Sequence, residues 1–215
     1  MSRSFKLGVL AAAVMAAAPM AQAYEAGDFI GRVGAATVVP DASSDPITNV
    51  APDARVDVDN NTQLGLTLSY MLTDQIGLGV LAATPFSHDI EGEGDLAGAG
   101  KLAETKHLPP TITLQYFPMP NGSKFQPYVG AGVNYTVFFD EQTSGALAGT
   151  DIELDDSFGL AAEIGMDYMI TDNIGVNAAL WWIDIDTEAK IEAANQTVDV
   201  EIDPLVYMVG VSYKF

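Results

Sequence analysis

A two-residue alternation of apolar and small or polar side chains constrains this chain more than any other feature. From Thr62 to Leu72, the residues Leu64, Leu66, Leu68, Tyr70 and Leu72 alternate with Gln63, Gly65, Thr67, Ser69 and Met71. Between Phe158 and Ile170, Leu160, Ala162, Ile164, Met166 and Tyr168 alternate in the same way with Gly159, Ala161, Glu163, Gly165, Asp167 and Met169. Successive side chains of a strand point to opposite faces, so this pattern describes strands with one face in an apolar medium. Eight such runs are expected: 27–38, 58–72, 76–86, 106–117, 125–139, 156–170, 174–188 and 197–215. No stretch past residue 23 approaches the length of apolar sequence that a transmembrane helix needs.

The connections alternate in length. Residues 73–75, 118–124 and 171–173 make short turns, whereas 39–57, 87–105, 140–155 and 189–196 make longer loops. Short turns on one side and long loops on the other are the plan of an outer-membrane barrel, with the short turns in the periplasm. The expected fold is therefore all-β, an eight-stranded antiparallel transmembrane β-barrel. A soluble barrel would turn its large apolar set inward, where eight strands leave no room for it. Two segments repeat, Tyr70-Met-Leu-Thr-Asp-Gln-Ile-Gly77 and Tyr168-Met-Ile-Thr-Asp-Asn-Ile-Gly175, and each reads as a periplasmic hairpin with an interfacial aromatic. The chain closes on Val209, Val211, Tyr213 and Phe215, which looks like the terminal signal read by the barrel assembly machinery.

The amino-terminal segment fits a route to that membrane. Arg3 and Lys6 precede an apolar run, Leu7 to Ala18, too short to span a bilayer as a helix, and Ala21-Gln22-Ala23 is a small-x-small cleavage site. Residues 1–23 are expected to be a signal peptide and residues 24–215 the barrel. Removing Arg3 and Lys6 takes the formal charge from −20 to −22, which argues against a nucleic-acid partner. The absence of cysteine excludes disulfides and thiolate metal sites. No cofactor motif occurs: Gly130-Ala131-Gly132 lies within a strand, and Asp57–Asn61 lacks the glycine and glutamate of a calcium loop. His88 and His107 show no visible triad and read as loop or strand-end polar residues, so no enzyme is expected.

Several blocks carry a resemblance. Asn60-Asn-Thr-Gln-Leu-Gly-Leu-Thr67, Leu81-Ala-Ala-Thr-Pro-Phe86, His107-Leu-Pro-Pro-Thr111, Pro127-Tyr-Val-Gly-Ala-Gly-Val-Asn-Tyr-Thr136 and Trp182-Ile-Asp-Ile-Asp-Thr187 resemble the outer membrane protein W family, which includes the alkane-uptake porin-like proteins. The resemblance spans essentially all of the chain after residue 23. It implies an eight-stranded barrel in the bacterial outer membrane, with a narrow hydrophobic channel for small apolar compounds and release through the barrel wall.

Strand parity assigns the lumen independently. Near the periplasmic end the inward residues are Arg32, Asp167, Asn177 and Lys214, with Glu163 and Gln115 deeper; together they read as a charged plug. Toward the outer end they are Leu81, Phe138, Trp181, Ile183, Ile185, Val200 and Ile202, which read as an apolar funnel or as a solidly packed interior. Pro85, Pro109 and Pro110 cannot donate ladder hydrogen bonds and mark a weak place in the wall. Residue numbers paired across the seventh and eighth strands are expected to sum to 387, setting Asp184 opposite Asp203, Asp186 opposite Glu201 and Glu188 opposite Asp199. That acidic rim reads either as solvated surface or as a contact to lipopolysaccharide through divalent ions. Two functions fit: a conduit for small hydrophobic solutes, or a structural barrel whose loops bind phage, bacteriocins or host surfaces.

Overall fold

A computed structural model describes residues 24–119 and 123–215; the expected signal peptide lies outside them. The strands, in chain order, are β1 (Phe29–Val39), β2 (Ser43–Ser44), β3 (Ala54–Val58), β4 (Asn61–Met71), β5 (Ile76–Ala83), β6 (Phe86–Gly94), β7 (Lys101–Leu108) and β8 (Thr111–Tyr116). They continue as β9 (Phe125–Thr143), β10 (Ile152–Leu154), β11 (Ser157–Met169), β12 (Ile174–Ile183), β13 (Asp186–Ile191), β14 (Gln196–Glu201) and β15 (Leu205–Lys214).

The lower part is a closed ring of eight antiparallel strands in the order β1-β4-β5-β8-β9-β11-β12-β15, with β15 pairing back onto β1. Closure leaves no edge strand, so the ladder groups pair around the ring in a solvent that offers them no partner. The outward face is apolar: Leu66, Leu68, Leu114, Leu160, Ile164 and Val209 are all exposed. Phe29, Tyr70, Tyr116, Tyr168, Tyr213 and Phe215 ring the end where the short turns lie, as an interfacial aromatic girdle requires. Val176 pairs with Val211, Leu180 with Tyr207 and Trp182 with Leu205, and beyond them Asp186 pairs with Glu201 and Glu188 with Asp199. The 387 register therefore holds on both sides of a break at Asp184 and Asp203, where Asp203 takes a positive φ of 34°.

The upper part corrects the expected strand bounds. The segments 39–57, 87–105 and 140–155 are not plain loops. They supply β2 and β3, most of β6 and β7, and the end of β9 with β10. These extensions form two facing sheets, β3-β6-β7-β9 and β10-β13-β14-β2. The physical reason is an inversion of the alternation. Above the lipid the outward side chains meet water, so Ser87, Asp89, Glu104 and Lys106 point out while Phe86, His88, Ile90 and His107 point in. A search for lipid-facing apolar residues does not see such strands.

Candidate functional site: an apolar cavity above a charged plug

The plug is built by pairing large inward side chains with glycine across the ladder. Tyr128 faces Gly165, and Glu163 faces Gly130. A Cβ at Gly165 would collide with the Tyr128 ring, and one at Gly130 with the Glu163 carboxylate. The space so released holds Arg32, whose Nη2 lies 2.6 Å from Asp167 Oδ2, both side chains fully buried. Arg32 also donates to Ser69 Oγ at 2.8 Å, and its guanidinium sits 4.7 Å from the Tyr128 ring centroid. Asn177 Nδ2 donates to Asp167 Oδ1 at 3.0 Å and to the Tyr128 hydroxyl at 3.1 Å. A second anion, Glu163, accepts from Thr113 Oγ1 at 2.6 Å and Gln115 Nε2 at 2.8 Å. A buried ion pair is tolerated when further hydrogen bonds hold it, as Ser69 and Asn177 hold Arg32 and Asp167 here.

Arg32, Glu163 and Asp167 thus come together in the lumen as parity expects. Lys214 is inward and buried, with its Nζ 3.7 Å from Asp28 Oδ2. Parity did not single out the aromatic part of the plug. Tyr24 meets Phe117 edge-on at 5.5 Å, and Phe117 meets Tyr128 at 5.2 Å. Tyr128 was within reach of the same reasoning, because it shares its face with Gln126 and Gly130.

Above the plug, Leu81, Trp181, Ile183 and Ile185 are buried in one cluster with Phe86 and Phe138, against which Ile202 packs. The open space begins higher, between the two facing sheets, as a cavity of about 260 Å³. Phe138, Val200 and Ile202 line it, together with Val56, Ile90 and Leu102. Of the seven expected funnel residues, three reach the cavity and four are packed beside it. Sequence parity gives a face, not a height. Only the folded β6–β7 and β13–β14 hairpins show that the lumen opens within the extension rather than within the membrane.

Four polar side chains stand in this apolar lining, His88, Thr105, His107 and Thr187, and of these Thr187 donates to the Asp155 carbonyl at 2.6 Å. The imidazoles stack at 4.9 Å with 14° between planes, and Phe86 stacks on His107 at 5.5 Å. Burial pushes His107 down to about 3, with His88 beside it adding to the effect, and burial also lowers His88. Both rings are neutral at neutral pH.

The wall beside the cavity is interrupted. The third and fourth staves pair at Leu81–Thr111 below and at Phe86–His107 above. Between these pairs, residues 82–85 and 108–110 do not pair with one another, and the interval holds Pro85, Pro109 and Pro110. On the opposite rim, one carboxylate oxygen from each of Asp184, Asp186 and Asp203 lies within 4.8 Å of the others. Asp186 is held above the usual aspartate range, first by burial and then by the charges of Asp184 and Asp203.

A closed eight-stranded ring with a lipid-facing apolar surface, an interior plug and an apolar cavity at the outer end defines a small outer-membrane barrel of the porin-like kind. Comparison with known proteins agrees. The OmpW family model matches residues 25–215. Outer membrane protein W of Vibrio cholerae is 50% identical over 214 residues, covering 97% of each chain. The crystal structure of OprG from Pseudomonas aeruginosa superposes with a TM-score of 0.83 at 46% identity, covering 91% of this chain and 99% of that one. Outer membrane protein AlkL of Ectopseudomonas oleovorans is 28% identical over 166 residues, 76% of this chain and 70% of its own. The chain belongs to the OmpW family and is a bacterial outer-membrane protein.

Proposed function

We propose that this barrel takes small hydrophobic molecules from outside the cell into the cavity and releases them sideways into the outer membrane. The cavity carries the reading: about 260 Å³ of space, lined mainly by aliphatic and aromatic side chains, in a protein of the outer membrane. A solute entering it sheds its hydration and gains roughly 25 cal/mol per Å² of apolar area buried. The plug below blocks a straight path, since Arg32, Asp167, Glu163 and Tyr128 fill a lumen only just wide enough for side chains. The unpaired interval around Pro85, Pro109 and Pro110 supports lateral release, because proline gives no donor to seal the ladder there.

The test is uptake of a hydrophobic solute by cells with and without the protein. Val200→Lys, which puts a charge in the cavity lining, is expected to slow uptake several-fold in a correctly assembled barrel. Pro109→Ala combined with Pro110→Ala, which restores two ladder donors, should slow release. Unchanged uptake in all of these variants overturns the reading. The plug also implies very low ion conductance in planar bilayers, and a large steady conductance would contradict it.

A further inference from the structure

His88, Thr105 and His107 do not look like packing residues. In register, His88 stands opposite Thr105 and Phe86 opposite His107, so the three polar side chains share the inward face of the β6–β7 hairpin. His88 is 1% exposed, and Thr105 and His107 are 5% exposed. Three of their polar atoms, His88 Nε2, Thr105 Oγ1 and His107 Nε2, are buried with no hydrogen-bond partner. The other unpaired buried atoms, on Thr67, Gln115, Asn177 and Ser212, lie away from the cavity, whereas these face open space that an occupant reaching His88 and Thr105 can fill.

The hydrogen-bond pattern specifies that occupant. His88 Nδ1 lies 2.6 Å from the backbone carbonyl of Asp59. A carbonyl only accepts, so Nδ1 carries the proton, and in the neutral ring Nε2 is left with a lone pair. That atom needs a donor. The hydroxyl of Thr105 donates or accepts as required. We propose that the cavity selects apolar molecules carrying one hydroxyl group, which donates to His88 Nε2 and accepts from Thr105. This rests on the reading of the cavity as a hydrophobic binding site and narrows its substrate class. Ketones, ethers and alkanes have no proton for His88. A carboxylate brings a charge to a corner whose two imidazoles are neutral. The cavity has room for about nine groups of water size at ~30 Å³ each, and methylene groups are of similar bulk. A medium-chain alcohol or a phenol with a small apolar body fits that volume.

Three probes matched in non-hydrogen atoms decide the matter: 1-octanol, heptyl methyl ether and n-nonane, each titrated into the protein in lipid nanodiscs. Affinities are taken relative to the mole fraction of solute in the bilayer. Methyl NMR shifts of Val198, Val200 and Ile202 report filling of the cavity, and the ¹⁵N shift of His88 Nε2 reports the hydrogen bond. Octanol is expected to bind about tenfold more tightly than the other two and to move the Nε2 signal. In Thr105→Val and in His88→Phe that preference is expected to vanish while nonane binding persists. If all three probes fill the cavity equally with the Nε2 signal unmoved, a water molecule holds the corner and the hydroxyl proposal falls, with the hydrophobic cavity intact. Octanol selectivity that survives both substitutions also overturns it. Binding by none of the three overturns both readings.

Discussion

Arg32 and His107 are both buried inside the same barrel, yet their surroundings are opposite. Arg32 is locked by Asp167, Ser69 and the face of Tyr128, and the glycines opposite Tyr128 and Glu163 make room for that network. His107 has aromatic rings on its flanks and a buried Nε2 with no partner, on the edge of an apolar cavity. The lower half pairs its charged groups with buried partners, although Thr67 Oγ1, Gln115 Oε1, Asn177 Oδ1 and Ser212 Oγ stay there without one, and the paired charges suit a closed structural plug. The upper half sets its unpaired atoms, on His88, Thr105 and His107, beside an open cavity, which suits a site that receives something. A barrel can therefore be plugged and receptive at once, because its two halves bury polarity for different ends.

The largest expected effect comes from unbalancing the plug. Asp167→Ala leaves Arg32 as an uncompensated buried charge, and breaking a buried pair from one side costs about 3–5 kcal/mol. The variant should unfold at markedly lower urea or fail to assemble, as read by heat-dependent gel mobility. The double variant Asp167→Leu with Arg32→Met should recover most of that loss, because it removes both charges. If Asp167→Ala melts like the wild type, water already solvates Arg32 and the lumen is not plugged.

Acidification should strike the upper half instead. His107 is held down at about 3 in the folded protein, against an ordinary value near 6.5, and His88 is also lowered. The unfolded extension takes up protons that the folded one refuses. The stability these rings contribute is thus complete above about pH 6.5 and is lost as pH falls from there toward 3, to the extent of a few kcal/mol in order of magnitude. Amide exchange in β6 and β7 should accelerate across that window while β1 and β15 stay protected. A His107 resonance titrating near 6.5 would contradict the burial that defines the cavity wall.

Much of this was legible in the sequence. The eight staves, the lipid face and the inward set Arg32, Glu163 and Asp167 follow from period two, because a bilayer makes the outward face uniformly apolar, and the 387 register follows from centring the last hairpin between residues 193 and 194. The β6–β7 hairpin did not follow. Above the lipid, the outward residues of Ser87–Thr105 are charged and the inward ones mixed, so the same alternation looks like a polar loop. His88 and His107 were consequently read as loop or strand-end residues; parity from Thr111 and Thr113 turns His107 inward, but the phase shifts between Leu81 and Phe86, so parity from the third strand sends His88 outward. Nor could parity tell Val200, on the cavity, from Ile183, in the packed cluster, since that depends on where the two upper sheets part.

A smaller effect separates packing from charge within the plug. Gly165→Leu inserts a side chain where Tyr128 lies, and overpacking of a filled interior costs about 1–3 kcal/mol. It should lower the melting temperature and disturb the Arg32–Asp167 geometry while solute binding in the upper cavity stays unchanged. Loss of solute binding in Gly165→Leu would show that the halves are mechanically coupled.

The smallest effect belongs to the acidic rim, and its sign is opposite to that of the histidines. Asp186 has Glu201 directly opposite it on the next strand and the carboxylates of Asp184 and Asp203 close by. Burial first, and then these charges, raises its pKa in the folded protein. A raised carboxylate holds its proton more firmly when folded than when unfolded. Its contribution to stability is present below the ordinary aspartate value and is lost as pH rises through the raised one. At neutral pH Asp186 is therefore a small liability, and Asp186→Asn should raise the melting temperature slightly in detergent. At a pH below the carboxylate range the variant and the wild type should melt together, because Asp186 is then neutral in both. The comparison repeated in lipopolysaccharide-containing membranes, with calcium and then with chelator, shows whether the rim's charge is solvated or bridged. With a solvated rim, Asp186→Asn stays the more stable protein in both. If calcium makes the wild type the more stable of the two and chelation reverses the order, the rim binds a divalent ion, and the upper half then has a second receptive site on its outer surface.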